Sequence, residues 1–459
     1  MNRTLPPAIV AGLEALGTEL VRWAQTHRDS PLAEQEQAVL TRVRAAMPRL
    51  LAAVLTLSTR KLDPGLRRTP ELCPRCDQRC RVQSWRRRQL TTICGQVTWE
   101  RPWYVCRPCG HGWSPVDTTW EVAPRARLSA GLQEWLARLG AELDFAEAQE
   151  WLERLTGLHV AKETVRYQTE RQGTALEQAQ QTAATHVEAT QDSWRPVDAA
   201  PGQLLVETDG VMVHYRQTGW HEVKIGLVAG WQDGALRAPS YVAAREGAAP
   251  FGRRLLAEAA RRGALDIVRW EGRRTGAGLA VLRDVLVLGD GARWIWTLAA
   301  EHFGERRELV DFYHASEHLW KSARLLYGEG TPAAQEWGAA RCHELRHEGS
   351  AVVLAALRQA RAPTAEGRLV LRRERRYFRT NAARMDYPTA KAEGFPIGSG
   401  AVESLARHLV QLRLKRPGAR WSRPGAQAIL TLRAHLKSGH PLPALPVLPG
   451  RDPARWVAA

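Results

Sequence analysis

The sequence predicts a multidomain chain: a small cysteine-rich module and helical segments, followed by an α/β core. Three observations lead there. Six of the seven cysteines crowd between Cys73 and Cys109. Helical periodicity in the first part of the chain gives way, beyond about residue 202, to short apolar runs. Two of those runs, Leu204-Leu205-Val206 and Val285-Leu286-Val287-Leu288, lead into the aspartates Asp209 and Asp290, each beside glycine.

Taken in order, the chain begins with a helical leader, in which Leu13, Leu16, Leu20, Val21 and Trp23, then Val39, Leu40, Val43 and Met47, keep helical spacing. Asp63-Pro64-Gly65 should break it. Within the cysteine-rich module, Arg81 to Trp85, Leu90 to Ile93 and Val97 to Tyr104 read as small antiparallel strands interrupted by Gly95. Phe145 to Leu155 and Lys162 to Gln168, joined across Gly157, read as two helices of a helix-turn-helix, a unit that either contacts DNA or simply packs. Pro196, Pro201 and Gly202 mark a linker over 189–202. The apolar runs Leu204 to Val206, Val211 to Val213 and Val223 to Val228, the helical Phe251 to Arg262, and Val285 to Leu288 then form an α/β layer pattern. Residues 315–390 return to basic helix, densest at Arg372-Arg373-Glu374-Arg375-Arg376, and Pro441 to Pro453 reads as a loose tail.

A length of 459 residues exceeds what a single core organises. The net charge is +17, with a pI near 10.1 and Arg well ahead of Lys, so a polyanion, nucleic acid first, is the expected partner. A GC-rich coding bias would explain the Arg preference but not the excess of positive charge. No stretch reaches the length of an apolar membrane span and the N-terminus has no secretory pattern, so an intracellular protein with reduced thiols is expected.

Cys73-Pro74-Arg75-Cys76 and Cys106-Arg107-Pro108-Cys109 are two C-x-x-C knuckles, each a tight turn able to aim two thiolates at one ion. Four such sulfurs satisfy tetrahedral zinc and leave no open position, which makes the ion structural. Cys80, Cys94 and His111 remain competing ligands, and Cys342 stands apart.

Asp209 and Asp290 repeat one device, an acid closing an apolar strand next to a glycine that lets a phosphate or metal approach the backbone. A turn that uses Asp and Gly for geometry alone would account for one of them. Two in one α/β region suggest adjacent strands presenting carboxylates to Mg²⁺. A pair of metals about 3.5–4 Å apart needs a third acid. Glu403 is the choice, in the first turn of a helix Val402 to Leu414 that follows Gly398-Ser399-Gly400. Glu207 and Asp284 are acids near the pair but outside this assignment, although period-two geometry would set Glu207 on the face of Asp209. The same helix runs on through Arg407, His408, Arg413, Lys415 and Arg416 to Trp421, a pattern expected of a phosphate-backbone track.

Together these segments resemble the insertion-sequence DDE transposases of the ISKra group, relatives of the Mutator-like superfamily with a ribonuclease H-like core. The matching stretches are the double C-x-x-C module ending Cys109-Gly110-His111-Gly112, Glu207-Thr208-Asp209-Gly210, Leu288-Gly289-Asp290-Gly291 and Ile397 to Ser404. Val310 to Leu319, with its D-x-x-H element, Arg420-Trp421-Ser422 and Leu432-Arg433-Ala434 also match. The resemblance implies a catalytic triad Asp209, Asp290 and Glu403 holding two Mg²⁺ or Mn²⁺ ions, with Asp311 and His314 auxiliary at the mouth of an all-helical insertion. It adds Arg420 to the DNA-binding residues Arg407, Arg413, Lys415, Arg416 and Trp421. The implied organisation is a leader 1–68, zinc ribbon 69–120, helix-turn-helix-like segment 121–196, core 197–320, helical insertion 321–394, C-terminal core helix 395–437 and tail 438–459. Implied too are strand cleavage and transfer on transposon terminal repeats and target DNA, a homo-oligomer, no membrane, and a prokaryotic, nucleoid-associated setting. A nuclease of the same fold without strand transfer, or a transposase-derived zinc-ribbon DNA-binding protein, would share much of this pattern.

Overall fold

The computed structural model describes residues 7–61, 70–189, 200, 202–263, 265–266, 280–281, 285–304 and 306–443. The expected break at Asp63-Pro64-Gly65, most of the 189–202 linker, Asp284 and the tail beyond residue 443 lie outside the described residues. The chain divides into two compact units, one of residues 1–170 with 442–459 and one of residues 171–441.

In the first unit the leader forms two helices, Pro7–Thr26 and Leu32–Lys61. Leu51, Ala52 and Leu55 of the second pack against Leu90, Val97 and Trp99 of a hairpin, Val82–Thr92 with Gly95–Val105. Two of the expected strands are thus one, because residues 82–92 pair along their length with Gly95–Val105, with a single irregularity near Val82 and Ser84. Gly95 does not interrupt the sheet; it closes the turn at φ +108°, with the Pro48 ring in the space a Cβ would need. The helices Ala130–Glu142 and Phe145–Thr156 follow, and the helix Lys162–Ala189 begins in this unit. Asp144 caps the second through the N–H groups of Ala146 and Glu147, and Gly157, the turn glycine the sequence led us to expect, ends it in the left-handed region. Leu132, Leu136, Ala148, Leu152, Val160 and Val165 form their shared core.

Elements of the second unit are numbered within it. A five-stranded sheet has the order β5-β4-β1-β2-β3, where β1 is Gln203–Tyr215, β2 Gly219–Gln232, β3 Ala235–Ala244, β4 Val285–Gly289 and β5 Arg306–Val310. The first three strands form an antiparallel meander, while β4 runs parallel to both β1 and β5. Every residue of β4 is buried, the signature of a central parallel strand covered on both faces, which is why its sequence is an unbroken apolar run. The runs Leu204 to Val206 and Val211 to Val213 are a single strand, for β2 pairs with β1 continuously through Asp209 and Gly210. Helices α1 (Ala248–Arg261) and α2 (Arg293–His302) lean on the sheet, where Gly226 makes room for Leu255 and Gly289 for Ile295. After β5 come α3 (Phe312–Tyr327), α4 (Pro332–His347), α5 (Ser350–Gln359), α6 (Ala365–Asn381) and α7 (Tyr387–Ala392), so the basic stretch is helical as read. The C-terminal helix does not run straight from Val402 to Leu414. It opens as α8 (Gly400–Leu405), widens into a π-helical stretch Ala406–Gln411 and ends at Leu414, before α9 (Arg423–Lys437).

Candidate active site and cysteine cluster

In the parallel pairing of β1 with β4, Thr208 faces Gly289. Asp209 and Asp290 are therefore the next positions on neighbouring strands, side by side at one level of the sheet. Each carboxylate is steadied by a backbone N–H: Asp209 Oδ1 accepts from Gly210 (2.6 Å) and Asp290 Oδ1 from Ala292 (2.8 Å), just ahead of α2. Asp209 is not at a strand end as expected but within β1. Nor does Gly210 serve to admit a ligand, since a Cβ there would meet Glu222 Oε1 at 2.3 Å, and Glu222 is paired with Lys224. Gly291 sits at φ +93°, a turn conformation that favours glycine, with the Tyr377 ring 3.0 Å from a would-be Cβ.

Burial pushes the Asp209 carboxyl above the usual range, and the negative fields of Asp290 and Glu403 add to that, while the Gly210 N–H and His314 pull it down. Glu403 is likewise raised, by burial first and then by Asp311 and Glu317, against His314. Asp209 thus feels the charge of Asp290, Glu403 and His314, while Glu403 feels Asp311, Glu317 and His314. Among the described residues no set of three carboxylate or histidine groups closes to within 4.8 Å, the mutual spacing that the four cysteine sulfurs below do reach.

Glu207 was missed. It is 1% exposed on the same side of β1 as Asp209, and its Oε2 accepts the N–H of Val402 in the first turn of α8 (2.9 Å). A carboxylate from the sheet thereby caps the helix that carries Glu403. Burial drives its pKa up to about 8, with Asp311 and Glu403 raising it further against the Val402 N–H. Period-two spacing from Asp209 was the only sequence signal.

Asp311, 1% exposed, caps α3 through the N–H groups of Tyr313 (2.5 Å) and His314 (3.1 Å), while its other oxygen accepts from the N–H of Ser399 (2.7 Å) and from the Ser399 hydroxyl. Phe312 N–H also donates to Ile397 O (2.8 Å). With four donors on one carboxylate, Asp311 is a clasp between the Gly398-Ser399-Gly400 loop and α3, and its lone pairs are already engaged. His314 is more open, 3.9 Å from Glu317 and edge-on to His318 and Tyr377. Tyr377, absent from the sequence reading, stacks on His318 and donates to the main-chain oxygen of Asp290 (3.2 Å).

The expected phosphate track divides. Arg407, Lys415 and Arg420 are exposed and Arg416 half-buried. Arg413 and Trp421 do not belong to it, for they are 3% and 7% exposed, the guanidinium 4.9 Å above the indole, whose N–H donates to Leu414 O (3.0 Å). Both are core residues: Arg413 lies on the buried side of the helix, and Trp421, beyond its end, bridges to Tyr215 of β1 and accepts from the Arg216 N–H through its main-chain oxygen. Arg433, 1% exposed, donates to the carbonyls of Leu409 and His408 in the π-helical stretch, supplying partners where the regular ladder is disturbed.

In the first unit, the sulfurs of Cys73, Cys76, Cys106 and Cys109 all lie within 4.8 Å of one another, with Cys73 to Cys109 at 3.6 Å and Cys76 to both Cys106 and Cys109 at 3.5 Å. Tetrahedral ligands about 2.3 Å from one ion stand about 3.8 Å apart, so the donor set fits zinc. The two knuckles share one backbone design: Asp77 N–H donates to Cys73 O and Gly110 N–H to Cys106 O, with Asp77 and Gly110 both at positive φ. The His111 N–H, with hydrogen bonds from the other three thiols, holds Cys109 down at about 7 against burial. Of the competing ligands, Cys80 turns to Gln78 O and the His111 ring stacks on Trp113.

No helix among the described residues is long and apolar enough to cross a membrane. No curated protein matches the chain. A family model does, over residues 32–445, which takes in the cysteine cluster, both aspartates, Glu403 and Arg433. The chain therefore belongs to the uncharacterised protein family UPF0236, a transposase-like family.

Proposed function

We propose that this chain is a DNA transposase of the DDE type with a ribonuclease H-like core, cutting and joining DNA strands at a site built from Asp209, Asp290 and Glu403. The observation that carries the reading is that Asp209 and Asp290 each follow the last paired positions, Thr208 and Gly289, of adjacent parallel strands, with the charges of Asp290 and Glu403 both raising Asp209. The sheet order β5-β4-β1-β2-β3, an antiparallel meander joined to two parallel strands, supports the fold assignment, and the transposase-like family supports the function. So does the helical stretch α3 to α7 between the second and third acids.

The donor set, three carboxylates with raised or mutually repelling charge, suits a hard divalent cation. Mg²⁺ or Mn²⁺ bound there would supply activation of the attacking oxygen and stabilisation of the leaving one. The chain's own work is positional. Asp209 and Asp290 are fixed by their backbone N–H bonds, and the helix start that carries Glu403 is held by Glu207 at the head of α8 and by the Asp311–Ser399 clasp. His314 stands between Asp209 and Glu403 in charge and helps to balance them. Water would attack first to release a 3′-hydroxyl at a transposon end, which then attacks target DNA; no protein nucleophile is needed. The cysteine cluster would hold one structural zinc, and the first unit would recognise terminal sequence.

The test is cleavage and strand transfer by Asp209→Asn, Asp290→Asn and Glu403→Gln on DNA carrying the element's ends. Each should fall by orders of magnitude in Mg²⁺ or Mn²⁺ with DNA binding retained. Cleavage without joining by the unmodified chain would leave a nuclease, and wild-type activity of Glu403→Gln would remove the third acid from the site.

A further inference from the structure

Helix α6 presents two unlike faces. Leu371, Glu374, Phe378 and Asn381 are buried, and at about 100° per residue they centre on one side of the helix. Arg372, Arg373, Arg376 and Arg379 are exposed and fall within an arc of about 120° centred on the opposite side. The other two arginines of this stretch are employed by the fold: Arg375 donates to Leu357 O and Ala360 O at the end of α5, and Arg368 to Pro363 O. The four outer guanidinium groups have no hydrogen bond or ion pair among the described residues. The one carboxylate between residues 368 and 381 is Glu374, and it is turned inward, 2% exposed, between His318 and Lys321. Nothing on the outer face offsets four like charges set three and four residues apart, an arrangement that weakens a helix unless an anion covers it.

The position of the stripe matters as much as its charge. Tyr377, on the flank between the two faces, donates to the main-chain oxygen of Asp290 and stacks on His318. Arg373 lies one turn earlier on that flank, so the stripe is carried by the same helix segment that touches the second acid. From Arg372 to Arg379 the helix rises about 10 Å, which spans about three phosphates along one strand of duplex DNA.

We infer that Arg372, Arg373, Arg376 and Arg379 form a phosphate-backbone clamp that holds duplex DNA against α6 next to Asp290, a surface separate from the basic residues after Glu403. The inference rests on the DNA reading above. Clamps of this kind fix the register of the strand and carry no sequence preference.

The test is binding of the full chain to a fluorescent duplex of arbitrary sequence, several helical turns long, across a salt series. The Arg→Gln variant at all four positions should lower the slope of log affinity against log salt by about 3, at about 0.9 for each phosphate no longer neutralised. Arg→Lys at the same positions should keep most of the slope. Circular dichroism should match the unmodified protein and melting should be no lower, because all four side chains are exposed and their mutual repulsion is removed. Should the fourfold variant fail to fold, Arg373→Gln alone and Arg376→Gln with Arg379→Gln should lower the slope by about 1 and about 2. An unchanged slope in a folded Gln variant overturns the clamp while leaving the DNA reading intact. An unmodified chain with no salt-dependent affinity for duplex DNA overturns the DNA reading first. Salt-dependent capture of RNA or an acidic polypeptide through these arginines, without duplex DNA, overturns the clamp in favour of that ligand.

Discussion

Glu207 offers the sharpest test of how the candidate site is held. Its carboxyl is buried, raised from 4.5 to about 8, and accepts the Val402 N–H. Between those values the folded protein carries a proton that the unfolded chain has released, so stability falls as pH rises through the window and levels off above the folded value. From pH 6 to pH 9 the overlap covers about two pH units, which at 1.36 kcal/mol each predicts a loss of about 2–3 kcal/mol from this residue. Glu207→Gln keeps a carbonyl acceptor for Val402 and cannot titrate. In urea unfolding of the full chain in magnesium-free buffer, its stability relative to the unmodified protein should therefore grow by that amount between pH 6 and pH 9. Glu207→Ala strands the Val402 N–H and should be the less stable substitution by about 1–3 kcal/mol at pH 6. Parallel pH profiles for the unmodified chain and Glu207→Gln would refute the reasoning, since the raised carboxyl would then contribute nothing to the folded state.

Metal analysis of the purified protein should find about one zinc per chain, and serine at Cys76 or Cys109 should lower zinc content and unfold the knuckles; full zinc retention after replacing Cys73, Cys76, Cys106 and Cys109 together would exclude the site. Trp421→Ala should cost about 3–5 kcal/mol in denaturant unfolding, as a buried indole stacked on Arg413 does. Among folded molecules it should leave the salt dependence of DNA binding unchanged; a loss of slope without a loss of stability would return Trp421 to the nucleic-acid surface.

What the sequence determined by itself was local. A C-x-x-C turn needs only its own few residues to aim two sulfurs, and each knuckle is closed by hydrogen bonds within it, so the four cysteines could be read directly. The same holds for the Gly157 stop of one helix, and for the unbroken apolar run of β4, whose burial on both faces leaves its mark in composition. Asp209 and Asp290 stood out because each is an acid beside glycine next to such a run. The tertiary structure decided what depends on partners distant in the chain. Pairing with β2 carries β1 straight through Asp209, and Gly210 exists to make room for Glu222. Arg413 and Trp421 look like a nucleic-acid track in sequence and are core in space; Arg433 looks like surface charge and feeds two carbonyls of a π-helical stretch. Glu207, left outside the triad by the sequence reading, caps the helix that carries Glu403. A charged side chain's role follows from whether buried groups elsewhere satisfy it, and periodicity along one strand or helix holds no record of those groups.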